Sequence, residues 1–231
     1  MKQVAVITGA NGRIGAATCA RLAQSGHLVV GIDIAADGVG NYPYYPCDLT
    51  DLAQLQAVLE KIEKEHGLIR VLFNNAGVFH PETDFLDVPP EQFDATMNVN
   101  VKAPFFATQW VAKRLIAEGS GGSIVSTASA AGQRGSQVID YGASKAAVIN
   151  MTKSLGRALG KHNIRVNAIA PGLINTAMGA RVPLHSRQRA TDSALHRAGE
   201  PEEIASVVDF LVSDAASFIT CTTIDVNGGS G

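Results

Sequence analysis

The first fifteen residues constrain the fold more than any other stretch. Val4-Ala5-Val6-Ile7 is short, apolar and rich in β-branched side chains, Thr8-Gly9-Ala10-Asn11-Gly12-Arg13-Ile14-Gly15 follows it, and an amphipathic run then continues to Ser25-Gly26. The pattern is strand, glycine turn, helix. Glycines at such a turn let backbone N–H groups and a helix amino terminus approach a pyrophosphate with no side chain between them. Gly9, Asn11, Gly12, Arg13, Ile14 and Gly15 are therefore candidate dinucleotide-binding residues. A glycine-rich turn without a ligand is the plain alternative. The next strand, His27 to Asp33, favours the ligand, because it ends in a carboxylate eighteen residues after Gly15. An acid there suits the adenosine ribose of NAD.

The rest of the chain repeats the alternation. Asp37 to Pro46 is rich in Gly, Pro and Tyr and too short for a crossover helix plus a strand, and Pro43 and Pro46 confine any strand here to a sheet edge. Asp48 then either reaches an adenine amino group or caps the helical pattern that runs to His66-Gly67. Strands are expected at Ile69–Phe73, Ile124–Ala128, Ile164–Ala170 and Thr222–Val226, with helices at about Pro90–Glu118, around Tyr141 and Lys145, and from Pro201 to about Ser213. Pro104 has no N–H for the carbonyl of Asn100, so the long helix should kink there. The expected fold is α/β: a doubly wound, mostly parallel sheet of Rossmann type with helices on both faces, in one domain spanning 1–231. Leu173 to Gly199, with few aromatics and four arginines (Arg181, Arg187, Arg189 and Arg197), reads as a short substrate lid at about 173–199.

Charge and cysteine usage narrow the function. Lys+Arg 19 against Asp+Glu 21 gives a net charge of −2, so no global basic field points to nucleic acid or an anionic membrane. Cys19, Cys47 and Cys221 are odd in number and far apart, without a Cys-x-x-Cys pair or a metal-like Cys/His cluster, and no metal is expected. The apolar run at the amino terminus is too short for a secretory signal, and none elsewhere reaches membrane-spanning length. A cytoplasmic protein acting on a small molecule is the expectation; the four lid arginines, with Arg134, outnumber Asp192 and Glu200, which reads either as a preference for an anionic substrate or as a solvated lid with ordinary surface charge.

The chemistry is concentrated in Tyr141-Gly142-Ala143-Ser144-Lys145 and in Ser129, twelve residues earlier. Four residues apart on a helix, Tyr141 and Lys145 share a face, and a nearby cation can lower a phenol's pKa from about 10 by roughly 1 to 3 units. Ser129 falls at the carboxyl end of a strand, where α/β sites form, and can hold a substrate oxygen. A chance Tyr-x-x-x-Lys on an exposed helix is the bland reading of the spacing alone. Asn100, on the apolar face of its helix, is on spacing alone a satisfied core amide.

Taken in order, these motifs resemble the short-chain dehydrogenase/reductase family over roughly Val4 to Gly229. The resemblance implies that Ser129, Tyr141, Lys145 and Asn100 (from Asn98-Val99-Asn100-Val101) are catalytic, the Asn100 carbonyl holding a water that links Lys145 to solvent. It assigns Asn74-Asn75-Ala76-Gly77 to sheet support and the cofactor site, and places Pro171, Gly172, Ile174 and Thr176 beside the nicotinamide. Asp48 and Leu49 join the cofactor set, as do Tyr141 and Lys145. NAD is favoured over NADP by Asp33, and a homodimer or homotetramer is implied. Two positions depart from the family: Arg13 replaces the middle glycine of Thr-Gly-x-x-x-Gly-x-Gly while Gly12 lies one place earlier, and Cys221 stands where glycine is frequent. The implied activity interconverts a secondary alcohol and a ketone by hydride transfer. Alternatives are 3-oxoacyl-carrier-protein reductase, dihydrodiol dehydrogenase, and a non-catalytic NAD sensor.

Overall fold

The computed structural model describes residues 2–182 and 193–230. Its strands are β1 (Val4–Thr8), β2 (Leu28–Asp33), β3 (Tyr44–Pro46), β4 (Ile69–Asn74), β5 (Gly122–Thr127), β6 (Ile164–Pro171) and β7 (Thr223–Val226). They form one sheet in the order β3-β2-β1-β4-β5-β6-β7, and every pairing is parallel. The order reverses between β1 and β4, so a crevice opens at their carboxyl ends. Helices α1 (Arg13–Gln24), α2 (Leu52–His66), α3 (Pro90–Met97), α4 (Ala103–Ala117), α5 (Ala130–Arg134), α6 (Ile139–Leu159), α7 (Ala177–Ala180) and α8 (Pro201–Val212) complete the architecture.

Both faces of the sheet are covered, which is why its strands read as continuous apolar runs. Alternate side chains of β1 feed two cores. Val4 and Val6 pack with Leu55, Leu59 and Ile62 of α2 and Val111 and Leu115 of α4, whereas Ala5 and Ile7 pack with Leu22 of α1 and Ile204, Val208 and Leu211 of α8. As Pro43 and Pro46 require, β3 is an edge strand, and residues 34–43 join it to β2 without a helix. Among the described residues no helix is long and apolar enough to cross a membrane.

Three local features differ from the sequence pattern. The single helix expected from Pro90 to Glu118 is α3 and α4 joined by a π-helical turn at Asn98–Lys102, in which Ala103 N–H bonds the Asn98 carbonyl five residues back. Pro104, in the first turn of α4, cannot donate to Asn100, and the wider turn absorbs that missing donor. Helix α5 is five residues long, too short to show a period, and was not foreseen; nor was α7, inside the expected lid. Cys221 takes φ 63°, the left-handed region where glycine is at ease. Its thiol fits because Gly156 has no Cβ: one built there would lie 2.5 Å from Cys221 Sγ.

Candidate active site

The glycine turn sits where β1 ends, braced by the end of β4. Gly9 has φ 66°, and a Cβ on it would lie 2.8 Å from Ala76 Cα, while one on Gly15 would lie 2.0 Å from Gly9 O. Both positions need glycine for close backbone approach. Gly12 is less constrained, since its φ of −66° and ψ of 153° are open to any residue and a Cβ on it would lie 3.3 Å from Gly9 O. The offset glycine therefore leaves the turn intact: Gly12 N–H bonds Gly9 O at 3.2 Å and α1 begins at Arg13. Asn75 secures the turn, donating to Thr8 O and Gly9 O at 3.2 Å each, and the N–H groups of Asn75 and Ala76 bond Thr8 Oγ1 at 3.0 and 3.2 Å. Asn74 holds Thr108 and Ser126 below them, so this motif ties β4 to β1, β5 and α4.

Asp33 closes β2 beside this turn. Its carboxylate accepts the N–H of Asn11 at 3.0 Å and of Ile34 at 2.8 Å. The Asn11 side chain then reaches across residues 34–43, donating to Asp37 O at 2.8 Å and accepting from Val39 N–H at 3.1 Å. Of the two roles weighed for Asp48, helix capping is corrected: Asp51 caps α2 through the N–H groups of Ala53 and Gln54, and Asp48 accepts from the N–H and hydroxyl of Thr50. Leu49 lies beside Thr8, Ala76 and Pro104.

The catalytic candidates converge at the carboxyl ends of β4 and β5. Ser129 follows β5 and caps α5, its hydroxyl accepting Ala131 N–H at 3.1 Å. Its hydroxyl and the Tyr141 phenol from α6 line the same cavity. Lys145, one turn on, is 3% exposed; its ammonium donates to Thr127 O at 2.7 Å and lies 5.6 Å from the Tyr141 ring centroid. Asn100, 1% exposed, is clamped by Val78: Oδ1 accepts its N–H at 2.9 Å and Nδ2 donates to its carbonyl at 3.1 Å and to Ser144 Oγ at 3.0 Å. The amide is thus satisfied, as burial demands, and it stands in the site as well, because a Cβ on Gly77 would fall 3.3 Å from Asn100 Oδ1 and 3.5 Å from Lys145 Nζ. Ser144 relays Asn100 to the Tyr141 carbonyl at 2.7 Å.

A cavity of about 510 Å³ opens over these groups, lined by Ser129, Tyr141, Pro171, Gly172, Ile174 and Thr176 among others. Two residues not singled out from sequence shape it. Phe79 packs edge-on against Tyr141 with centroids 4.9 Å apart, and Thr127 supplies the carbonyl that holds Lys145. A loop phenylalanine and a backbone carbonyl carry no periodic signal, whereas Ser144, hydroxylated on a buried helix face between Tyr141 and Lys145, was legible.

The lid holds two of its four arginines in ion pairs. Its ends are pinned by the N–H of Asn175 to Gly199 O and of Gly199 to Leu173 O, both 2.9 Å. Arg181 is paired with Glu82 through two contacts of 2.9 Å, and Arg197 with Glu203 through two of 2.7 Å. These two cations are spent on carboxylates; Arg187, Arg189 and Asp192 lie outside the described residues.

Burial sets the electrostatics. It pushes the Tyr141 phenol above its ordinary value, opposed by the Ser129 hydroxyl. It also pushes Lys145 down from 10.5 to about 8. Between about pH 8 and 10.5 the unfolded chain holds the Lys145 proton and the folded chain does not, so this group's contribution to stability rises with pH across that window and is unfavourable below it. Relative to Lys145→Met, the wild type should gain on the order of 3 kcal/mol between pH 8 and 10.5. Urea unfolding of both proteins across that range checks this, and a pH-independent difference would place the lysine in a solvated environment.

Comparison with known proteins agrees with this geometry. Residues 9–230 match a family model described as enoyl-(acyl-carrier-protein) reductase. The chain is 40% identical over 240 residues to the 3-oxoacyl-[acyl-carrier-protein] reductase FabG of Thermotoga maritima, covering 98% of this chain and 97% of that one. Among solved structures it resembles the 3-ketoacyl-(acyl-carrier-protein) reductase of Brucella melitensis complexed with NADH, with a TM-score of 0.91 and 29% identity over 99% of this chain and 98% of that one. An NAD⁺-bound xylitol dehydrogenase gives a TM-score of 0.92 and 30% identity, covering 98% of each chain. With its glycine turn, parallel sheet and clustered Ser129, Tyr141 and Lys145, this chain belongs to the short-chain dehydrogenase/reductase family and is an oxidoreductase that uses a nicotinamide cofactor.

Proposed function

We propose that the chain is a single-domain, cytoplasmic, NAD(H)-dependent enzyme interconverting a secondary alcohol and a ketone, with Ser129, Tyr141, Lys145 and Asn100 as its catalytic set. The observation that carries this reading is the meeting of Ser129 and Tyr141 hydroxyls in one cavity, with the buried Lys145 ammonium beneath. The bound nicotinamide supplies or accepts the hydride. Ser129 orients the substrate oxygen by hydrogen bonding. The Tyr141 phenol donates its proton to that oxygen in reduction and takes it back in oxidation. Burial that keeps the phenol protonated suits the donor role, and Lys145 stabilises the phenolate left behind. Asn100 fixes α6 against the loop after β4 and holds open, through the π-helical turn, a path for proton return. Exposed Phe105 and Phe106 on α4 support a homo-oligomer, and Arg134, at the cavity margin, is the cation an anionic substrate would meet.

A second reading narrows the substrate to a 3-oxoacyl thioester, which the identity to the Thermotoga maritima reductase favours. The clustered hydroxyls and lysine count against a silent sensor.

Two assays test the proposal. Tyr141→Phe should retain the fold and cofactor affinity while kcat with a ketone panel falls by about 10² or more, the usual scale of a lost general acid; retained turnover would remove Tyr141 from its role. The cofactor is proposed to be NAD, because the Asp33 carboxylate accepts ribose hydroxyls and opposes a 2′-phosphate, two like charges about 4 Å apart costing on the order of 4 kcal/mol before screening. NADH should exceed NADPH in kcat/KM by tenfold or more, and equal values would contradict the role of Asp33.

A further inference from the structure

The residue that departs from the family's glycine pattern lines a second cleft. Arg13, the first residue of α1, borders a cavity of about 430 Å³ whose opposite wall is Leu173, Ile174, Asn175, Thr176 and Glu200. Leu173, Ile174 and Thr176 also line the catalytic cavity, so the two spaces adjoin. Asp33, which does not line this cleft, meets the same turn at the end of β2, its carboxylate bonded to the N–H groups of Asn11 and Ile34. The turn thus carries a carboxylate where it meets β2 and a guanidinium where α1 begins. Among the described residues the Arg13 side chain makes no hydrogen bond or ion pair, while Glu200, its acidic neighbour in the cleft, is engaged by the Asn175 amide.

A dinucleotide with its adenosine ribose at Asp33 and its reacting ring at Tyr141 must pass its diphosphate over the start of α1. A guanidinium presents paired donors that match phosphate oxygens, and a charge-assisted bond of this kind exceeds a neutral one. We propose that Arg13 is a specificity-determining residue for the diphosphate, which it clamps from the side of residues 173–176, and that it takes no part in recognising a 2′-phosphate. The proposal rests on the dinucleotide reading above and adds to it which anion Arg13 meets.

The test is equilibrium binding of adenosine, ADP, NADH and NADPH to the wild type, Arg13→Ala and Arg13→Lys, with thermal unfolding to confirm that each variant is folded. Arg13→Ala should weaken ADP about tenfold or more, weaken NADH and NADPH by that same factor, and leave adenosine unchanged. Arg13→Lys should recover part of the loss. Unchanged ADP affinity in Arg13→Ala, in a protein whose wild type binds NADH, would overturn the clamp alone. A loss confined to NADPH would overturn it in favour of a 2′-phosphate role. A wild type that binds neither ADP nor NADH would overturn the dinucleotide reading and the clamp together.

Discussion

The site depends on burying one ammonium group. Lys145 is nearly sealed from water, and its ammonium donates to the carbonyl of Thr127 at the end of β5. A charge in that position costs stability unless it is paired or hydrogen-bonded, and the neighbours that seal it off crowd close. The crowding is visible in the glycines. A Cβ on Gly132 of α5 would lie 2.5 Å from the Lys145 backbone carbon, so α5 runs directly against α6, and Gly77 leaves room for the ammonium beside Asn100. The small residues around Tyr141 that permit close approach are in part used within the chain: Gly142 faces Ser136 in the short connection between α5 and α6. Ser129 caps the α5 that packs on α6, so packing around the lysine also brings the serine hydroxyl into the cavity of the phenol.

A second constraint is the turn after β1. Thr8 and Asn75 lock it through five hydrogen bonds that cross from β1 to β4, at the point where strand order reverses. With its backbone held from below, the turn tolerates Gly12 and Arg13 in exchanged places, because neither residue needs an unusual backbone conformation there. What changes is the surface presented upward. A guanidinium occupies the flank toward residues 173–176, and the flank toward Asp33 is closed by Asn11 and residues 34–43.

Much of this was legible because the signals were local. Doubly buried strands read as apolar runs, Asp33 closes one of them, and Tyr141 and Lys145 lie one helical turn apart. What escaped was whatever depends on distant segments. Asp51 displaced Asp48 as the cap of α2, a choice between two acids three residues apart that only the final helix start decides. Pro104 announced a kink, but not that a π-helical turn would absorb it. The pairing of Arg181 with Glu82 joins residues far apart in the chain, so no count of charges within the lid could show it.

The account's central claim is that the cavity over Ser129 and Tyr141 is where hydride passes directly between a nicotinamide and a carbon bearing oxygen. The most direct measurement is a single turnover with NADH deuterated at either face of its reacting carbon, followed by mass analysis of the alcohol formed. One deuterated form should deliver its label quantitatively to the carbinol carbon and the other should retain it, in ordinary and in heavy water alike. Label delivered from both faces, or hydrogen at that carbon drawn from the solvent, would contradict the account.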